Sequence, residues 1–255
     1  LPRFWDFESG NVPLSSSSSN KIPKCWQHIS NSAYSIYVST SSYDAYQGTN
    51  SLEINYTNDI AIMPEIDTDS ISISDLQISL FAFYDYYYSN TSSLIFGVMT
   101  DPTNSSSFEA VDTIDINDSY AYYEVQFEGY VGTGKWIAIK PGTSSGSFYM
   151  DNLTLEHKSS CAKIQNSTVE TTINSATVTI AEDEIEDGVA YQLYYKENNA
   201  ASWEEPVMFV DGVAQIESGL KHSTVYDYMI VSVCSDESEV EGLKKVFTTT
   251  CANIT

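Results

Sequence analysis

Two acidic residues stand about one domain's length apart, each set into a short run of aromatic and aliphatic residues. Glu8 lies in Phe4-Trp5-Asp6-Phe7-Glu8-Ser9-Gly10, and Asp151 in Phe148-Tyr149-Met150-Asp151-Asn152-Leu153-Thr154-Leu155-Glu156. Where the first and last strands of an antiparallel sandwich run close together, Glu8 and Asp151 meet at one place. Two such carboxylates repel unless a cation or a hydrogen-bond network compensates them, and hard oxygen ligands favour calcium. Period-two alternation puts Tyr149, Asp151, Leu153 and Leu155 on one face, so Asp151 must be paired, neutralised or coordinated. Two readings stay open at this point: a structural calcium ion, and a carboxylate satisfied by turn amides with no metal.

The aromatic run Phe81, Phe83, Tyr84, Tyr86, Tyr87, Tyr88 is the second chemical feature. Flat rings stack on sugar faces, and Tyr86 and Tyr88, leading into the turn Ser89-Asn90-Thr91, are the candidates for ligand binding. The competing reading is that most of these rings are packing residues, because aromatics favour strands. Trp5, Trp26 and Trp136 are expected to pack, while Trp203 lies in a polar loop. No catalytic constellation emerges. His28, His157 and His222 are scattered without metal-binding spacing, and neither a Gly-x-Ser-x-Gly elbow nor a phosphate-cradling glycine loop occurs. The chain is therefore expected not to be an enzyme.

These side chains need elements to position them. The 255 residues suffice for two domains, each with its own core. With 35 acidic against 11 basic residues the net charge is −24, which excludes nucleic acid and anionic lipid as partners. Hydrophobic residues at 42% and aromatics at 13% are too many for an acidic disordered chain. No apolar run approaches the ~18–20 residues needed to cross a bilayer, so no membrane insertion is expected. Four cysteines allow one or two disulfides, and the Tyr-, Ser- and Thr-rich composition suits an extracellular β-protein.

Strand signals fill the first 157 residues: Ser51–Tyr56, Ser70–Ser74, Leu76–Tyr84, Leu94–Met99, Tyr122–Phe127 and Lys135–Lys140. Leu76–Tyr84 is apolar on both faces, as suits a central strand. Many short strands separated by turn signals predict an antiparallel sandwich. His157–Cys161 reads as a linker. Beyond it lie the shorter strands Thr177–Ile180, Ala190–Lys196, Val207–Val210, Val213–Ile216 and Tyr228–Val233, the size of an immunoglobulin-like sandwich.

Within that second region Leu220, Thr224 and Tyr226 resemble the fibronectin type III signature, with Tyr191-x-Leu193-x-Tyr195 matching its third strand. The resemblance implies a tyrosine corner at Tyr226. His222 departs from the pattern where proline is usual, as does Ile180 near the usual tryptophan. The fibronectin-like topology also brings the domain entrance beside the end of the sixth strand. It thus implies a Cys161–Cys234 disulfide, with Cys25 and Cys251 unpaired. Cys251-Ala252-Asn253-Ile254 echoes Cys161-Ala162-Lys163-Ile164, as if a further repeat began at 251–255.

The first region resembles the cleaved-adhesin, or choice-of-anchor, domains of secreted bacterial proteins, themselves similar to MAM domains and jelly-roll carbohydrate-binding modules. The motifs are Phe7-Glu8-Ser9-Gly10; Ala45-Tyr46-Gln47-Gly48-Thr49-Asn50-Ser51-Leu52; Gly97-Val98-Met99-Thr100-Asp101-Pro102 leading to Phe108 and Val111; and Tyr149-Met150-Asp151-Asn152. The resemblance implies a calcium site with Glu8 and Asp151 as side-chain ligands and carbonyls around Gly48 and Asn50 as further donors.

The expectation is an all-β chain: a jelly-roll sandwich over 1–157, a fibronectin type III sandwich over 161–250, and a tail at 251–255. It is expected to be a non-catalytic, adhesin-like binding module of a secreted or surface-anchored bacterial protein, monomeric, with a structural calcium. Its partner would be a glycan or an extracellular protein. The alternative is an ancillary carbohydrate-binding module of a larger glycan-degrading enzyme. An exposed aromatic platform on a sheet would favour the glycan; a large flat apolar patch would favour protein adhesion.

Overall fold

Period-two alternation and frequent turn formers leave this chain little but strands to build, and the computed structural model is almost wholly antiparallel β-sheet. It describes residues 1–8, 22–30, 35–86, 91–142 and 146–251. The chain divides into two compact units, Leu1–Lys158 and Ser159–Thr255.

The first unit contains β1 (Arg3–Trp5), β2 (Gln27–Ile29), β3 (Ile36–Ser39), β4 (Ser51–Ile54), β5 (Ile60–Ile62), β6 (Leu76–Asp85), β7 (Thr91–Met99), β8 (Phe108–Asn117), β9 (Ala121–Gln126), β10 (Trp136–Pro141) and β11 (Ser147–His157). One sheet runs β3-β4-β11-β6-β9, with β1 also on β11; the other runs β2-β5-β10-β7-β8. Their facing sides share one core. Leu52, Ile54, Ile78, Leu80, Phe148 and Met150 of the first sheet belong to the same buried cluster as Phe96, Val98, Ile137 and Ile139 of the second. The opposite side of the second sheet holds a smaller apolar cluster of Ile60, Ile62, Met99 and Ala138. There the Phe108 ring lies across Gly97, where an added Cβ would come within 2.6 Å of it.

Ser70–Ser74, expected as a strand, is instead a turn followed by a short 3-10 segment at Ile73–Asp75. The reason is local. Asp67 accepts from the Ser70 hydroxyl at 3.0 Å and its carbonyl takes the Ile71 amide at 3.0 Å, so side-chain and turn bonds displace ladder pairing.

The second unit contains β12 (Ser167–Thr171), β13 (Ala176–Ile180), β14 (Ala190–Glu197), β15 (Val207–Met208), β16 (Val213–Ile216), β17 (Val225–Val233), β18 (Glu239–Glu241) and β19 (Lys245–Thr248). A three-stranded sheet β12-β13-β16 faces a sheet of order β15-β14-β17-β18 in which β19 also pairs with β17. Val178, Ile180, Leu193, Ile216, Tyr228 and Ile230 form the core between them. The Tyr226 hydroxyl accepts the Lys221 main-chain N–H at 2.8 Å, closing a tyrosine corner. Cys161 and Cys234 form a disulfide with Cα atoms 5.5 Å apart, whereas Cys25 and Cys251 are free and exposed. Lys196 lies over the Trp203 ring at 5.2 Å, giving that tryptophan a partner.

Candidate functional site

Strand β11 is the hub of the first unit. On one side β4 pairs with Phe148–Met150 and β1 with Leu153–Leu155, and neither covers Asp151 or Asn152. On its other side, the pairing with β6 shifts register between Asp151 and Thr154. This bulge overturns the expected grouping of Asp151 with Leu153 and Leu155. One extra residue flips every later side chain, so the two leucines enter the core while Tyr149 and Asp151 point to the opposite face. Left-handed backbone at Asn152 (φ 48°) and Phe7 (φ 56°) turns the chain at this gap.

The gap is filled by the loop before β4. The Asp151 carboxylate accepts the N–H groups of Tyr46 (3.1 Å), Gln47 (3.0 Å) and Asn152 (2.7 Å). Glu8 accepts from the Thr49 amide (2.7 Å), the Asn50 amide (2.9 Å) and the Thr49 hydroxyl (3.0 Å). The Asn50 side chain donates to the Phe7 carbonyl at 2.9 Å, and that of Asn152 to Gln47 Oε1 at 3.1 Å. Gly48, at φ 76°, packs so close to Glu8 that any Cβ would collide with its carboxylate. Thus the four residues expected to hold calcium are gathered around one loop. Each carboxylate takes three hydrogen bonds and so retains about one of its roughly four acceptor positions.

Burial pushes the Asp151 carboxyl up to about 6, and the Glu8 charge adds to that rise against the pull of the three amides. Among the described residues no group of three or more His, Cys, Asp or Glu side chains is placed to hold a metal ion. A calcium ion here would have two carboxylates, and would need carbonyl and water oxygens to reach its usual six to eight ligands.

Asp151 also belongs to a wider surface, the face of the six-stranded sheet turned away from the core. Register alone sets out its rows. Tyr37, Glu53, Tyr149 and Phe83 lie opposite one another across four strands, and the Tyr120 ring closes the row 4.6 Å from Phe83. The next row holds Asp151, Phe81 and Tyr122, and those beyond it hold Thr154, Ser79 and Glu124, then Glu156, Gln77 and Gln126. These positions are all aromatic, acidic, amide or hydroxyl; none is Val, Ile, Leu or Met. Strands ~4.8 Å apart make the first row roughly 19 Å long from Tyr37 to Tyr120.

Ring contacts tie this face together. Phe83 stacks on Tyr149 at 4.9 Å, and Tyr46, reaching over from the loop that caps Asp151, stacks on Phe81 at 3.7 Å while staying 45% exposed. The Tyr120 hydroxyl donates to the Asp44 carbonyl at 2.6 Å, latching that loop to the sheet. Glu53 is buried, has no basic partner among the described residues, and accepts the Ser147 hydroxyl at 3.3 Å. Burial, with Glu53 adding, pushes the Tyr149 hydroxyl up to about 12, and the same two causes raise Tyr37.

The candidate ligand residues fare differently. Tyr86 packs against the core beside Tyr84 and does not join the rows, and Tyr88 lies outside the described residues. On the outer side of the sheet this run places Phe81, which lies under the Tyr46 ring, and Phe83. Two surface cavities, of about 480 and 570 Å³, lie elsewhere. The first is lined by Arg3, Trp5, Lys24 and Ile66, and the second by Ser72, Tyr130 and Lys135. Among the described residues no helix is long and apolar enough to cross a membrane.

No protein-family model matches this sequence, and neither does any curated protein. Among solved structures, the chain is similar to the K1 cleaved adhesin domain of Lys-gingipain from Porphyromonas gingivalis, at 12% identity and TM-score 0.46, over 62% of this chain and 99% of that one. It is also similar to the C-terminal family 22 carbohydrate binding module of Clostridium thermocellum Xyn10B, at 12% identity and TM-score 0.41, over 55% and 89%. The human fibronectin type III domain containing protein 3 supplies a fibronectin type-III domain at 16% identity and TM-score 0.32, over 38% and 93%.

Proposed function

We propose that this chain is a non-catalytic extracellular module that binds a glycan on the outer face of its six-stranded sheet, with the second unit acting as a spacer. One observation carries the reading: the described residues of that face are rings interleaved with carboxylates, amides and hydroxyls, with no aliphatic side chain among them. Sugars present flat C–H faces and a rim of hydroxyls, so a surface of this composition matches them. A protein-adhesion patch would need contiguous apolar area instead. Burial fixes the carboxylates in hydrogen bonds, as a binding surface requires. The Cys161–Cys234 disulfide suits an oxidising, extracellular setting.

Calcium belongs to the same proposal. Glu8 and Asp151 would hold it with oxygens of the 46–50 loop. The ion would brace the loop whose Tyr46 ring lies on Phe81, a structural part with no chemistry to perform. A glycan array probed with the full chain tests the binding. Phe83→Ala and Tyr37→Ala should each weaken the best ligand by about fivefold or more, the loss of roughly 1 kcal/mol of ring contact. Retention by an extracellular-matrix protein instead, with no glycan retained, would overturn the reading.

A further inference from the structure

Resting on the glycan reading, the charge on this face assigns the class of glycan. Leaving aside Asp151, which the calcium proposal engages, Asp44, Glu53, Asp85, Glu124 and Glu156 lie on it or at its border. Glu53 is set between Tyr37 and Tyr149 in the first row, and Glu124 accepts the Tyr122 hydroxyl at 3.0 Å. The basic side chains described in this unit are engaged elsewhere. Arg3 and Lys24 line the first cavity, Lys140 lies over the Phe108 ring at 4.4 Å, Lys135 meets Glu65 and Lys158 meets Glu128, both at 3.5 Å. A ligand lying along the first row therefore meets Glu53, with Asp44 and Asp85 near Tyr149, and no basic side chain among the described residues offsets them, in a chain of net charge −24.

We propose that this face takes uncharged or amino-bearing glycans and rejects those bearing uronate, sulfate or sialate groups. The physics is simple. A sugar lying on the rings brings its substituents within a screening length, about 8 Å at physiological salt, of several carboxylates at once. Each like-charge encounter at that range costs only a factor of about two or three, but several together give on the order of tenfold or more. Rings that stack on a neutral sugar face are thus surrounded by groups that penalise an acidic one and reward an ammonium.

The test compares one backbone in three charge states with the intact protein. The probes are a neutral oligosaccharide that binds in the array, the same oligosaccharide oxidised at C6 to the uronate, and an amino-substituted form. At about 0.15 M salt the neutral form should bind at least about tenfold tighter than the uronate, and the amino form at least as tightly as the neutral. Raising salt to about 1 M, where the screening length falls to about 3 Å, should narrow the gap. Glu124→Gln, and separately Glu53→Gln, should narrow the neutral-to-uronate ratio even if absolute affinity falls. Equal binding of neutral and uronate forms, or a gap untouched by salt and by both variants, would overturn this inference while leaving the glycan reading intact. Failure of every glycan to bind would overturn both.

Discussion

Asp151 offers the sharpest test of how the first unit is held together. It is fully buried and accepts three backbone amides, yet its carboxyl is raised from 3.8 to about 6 because burial outweighs those bonds. A folded-state value above the unfolded one means that the fold favours the protonated form. Its stabilising effect is complete below about pH 4 and lost as pH rises through about 6. A rise of that size corresponds to about 3 kcal/mol between those limits. Asp151→Asn stays neutral throughout, so the difference between the two proteins isolates this group. Urea denaturation on a Trp203→Phe background, in chelator, lets Trp5, Trp26 and Trp136 report the first unit alone. Relative to Asp151→Asn, the unsubstituted protein should gain about 3 kcal/mol between about pH 7 and about pH 4. Saturating calcium at about pH 7 should stabilise it by mass action, leave Asp151→Asn unmoved, and have no effect near pH 4. Parallel pH profiles for the two proteins would refute the dominance of burial. A pH difference as expected but no calcium response would keep the buried carboxylate and remove the ion, leaving the amides as its sole partners.

In the second unit, Tyr226→Phe leaves the Lys221 amide without its acceptor and should cost about 1–3 kcal/mol, read as a lower melting temperature of that unit. Reducing the Cys161–Cys234 bridge, which spans 73 residues of sequence, should cost about 4 kcal/mol through the loop entropy it releases. Peptide mapping without reduction should join those two cysteines, while Cys25 and Cys251 react with a thiol reagent in the folded protein.

The all-β class is legible because alternation and turn formers leave no room for helices, and Leu76–Tyr84 is legible as central because both its faces carry apolar or aromatic residues. That same feature hides the outward-facing rings. A strand apolar on both sides does not announce which parity faces the core, so the outward placement of Phe81 and Phe83 is not readable from the run itself. The bulge after Asp151 is equally invisible, since nothing in Met150-Asp151-Asn152-Leu153 marks an inserted residue except an asparagine able to adopt φ 48°. Strand β8 is obscured for a related reason. A register shift opposite Gly97, with acidic residues set among the apolar ones, breaks the spacing of Val111, Ile114 and Ile116. The types and positions of Glu8 and Asp151 point to one place, but their partners are main-chain amides of residues 46–50, and any sequence supplies those. Only the path of the loop selects them.

If the outer face of the six-stranded sheet is where this chain meets its ligand, chemical-shift mapping of the intact protein with its tightest neutral oligosaccharide shows it most directly. Perturbations are expected at the backbone amides of Tyr37, Glu53, Phe81, Phe83, Tyr122 and Tyr149, saturating with a single affinity that Phe83→Ala weakens by about fivefold or more. Perturbations confined to Ser159–Thr255 or to the β2-β5-β10-β7-β8 sheet would contradict that placement.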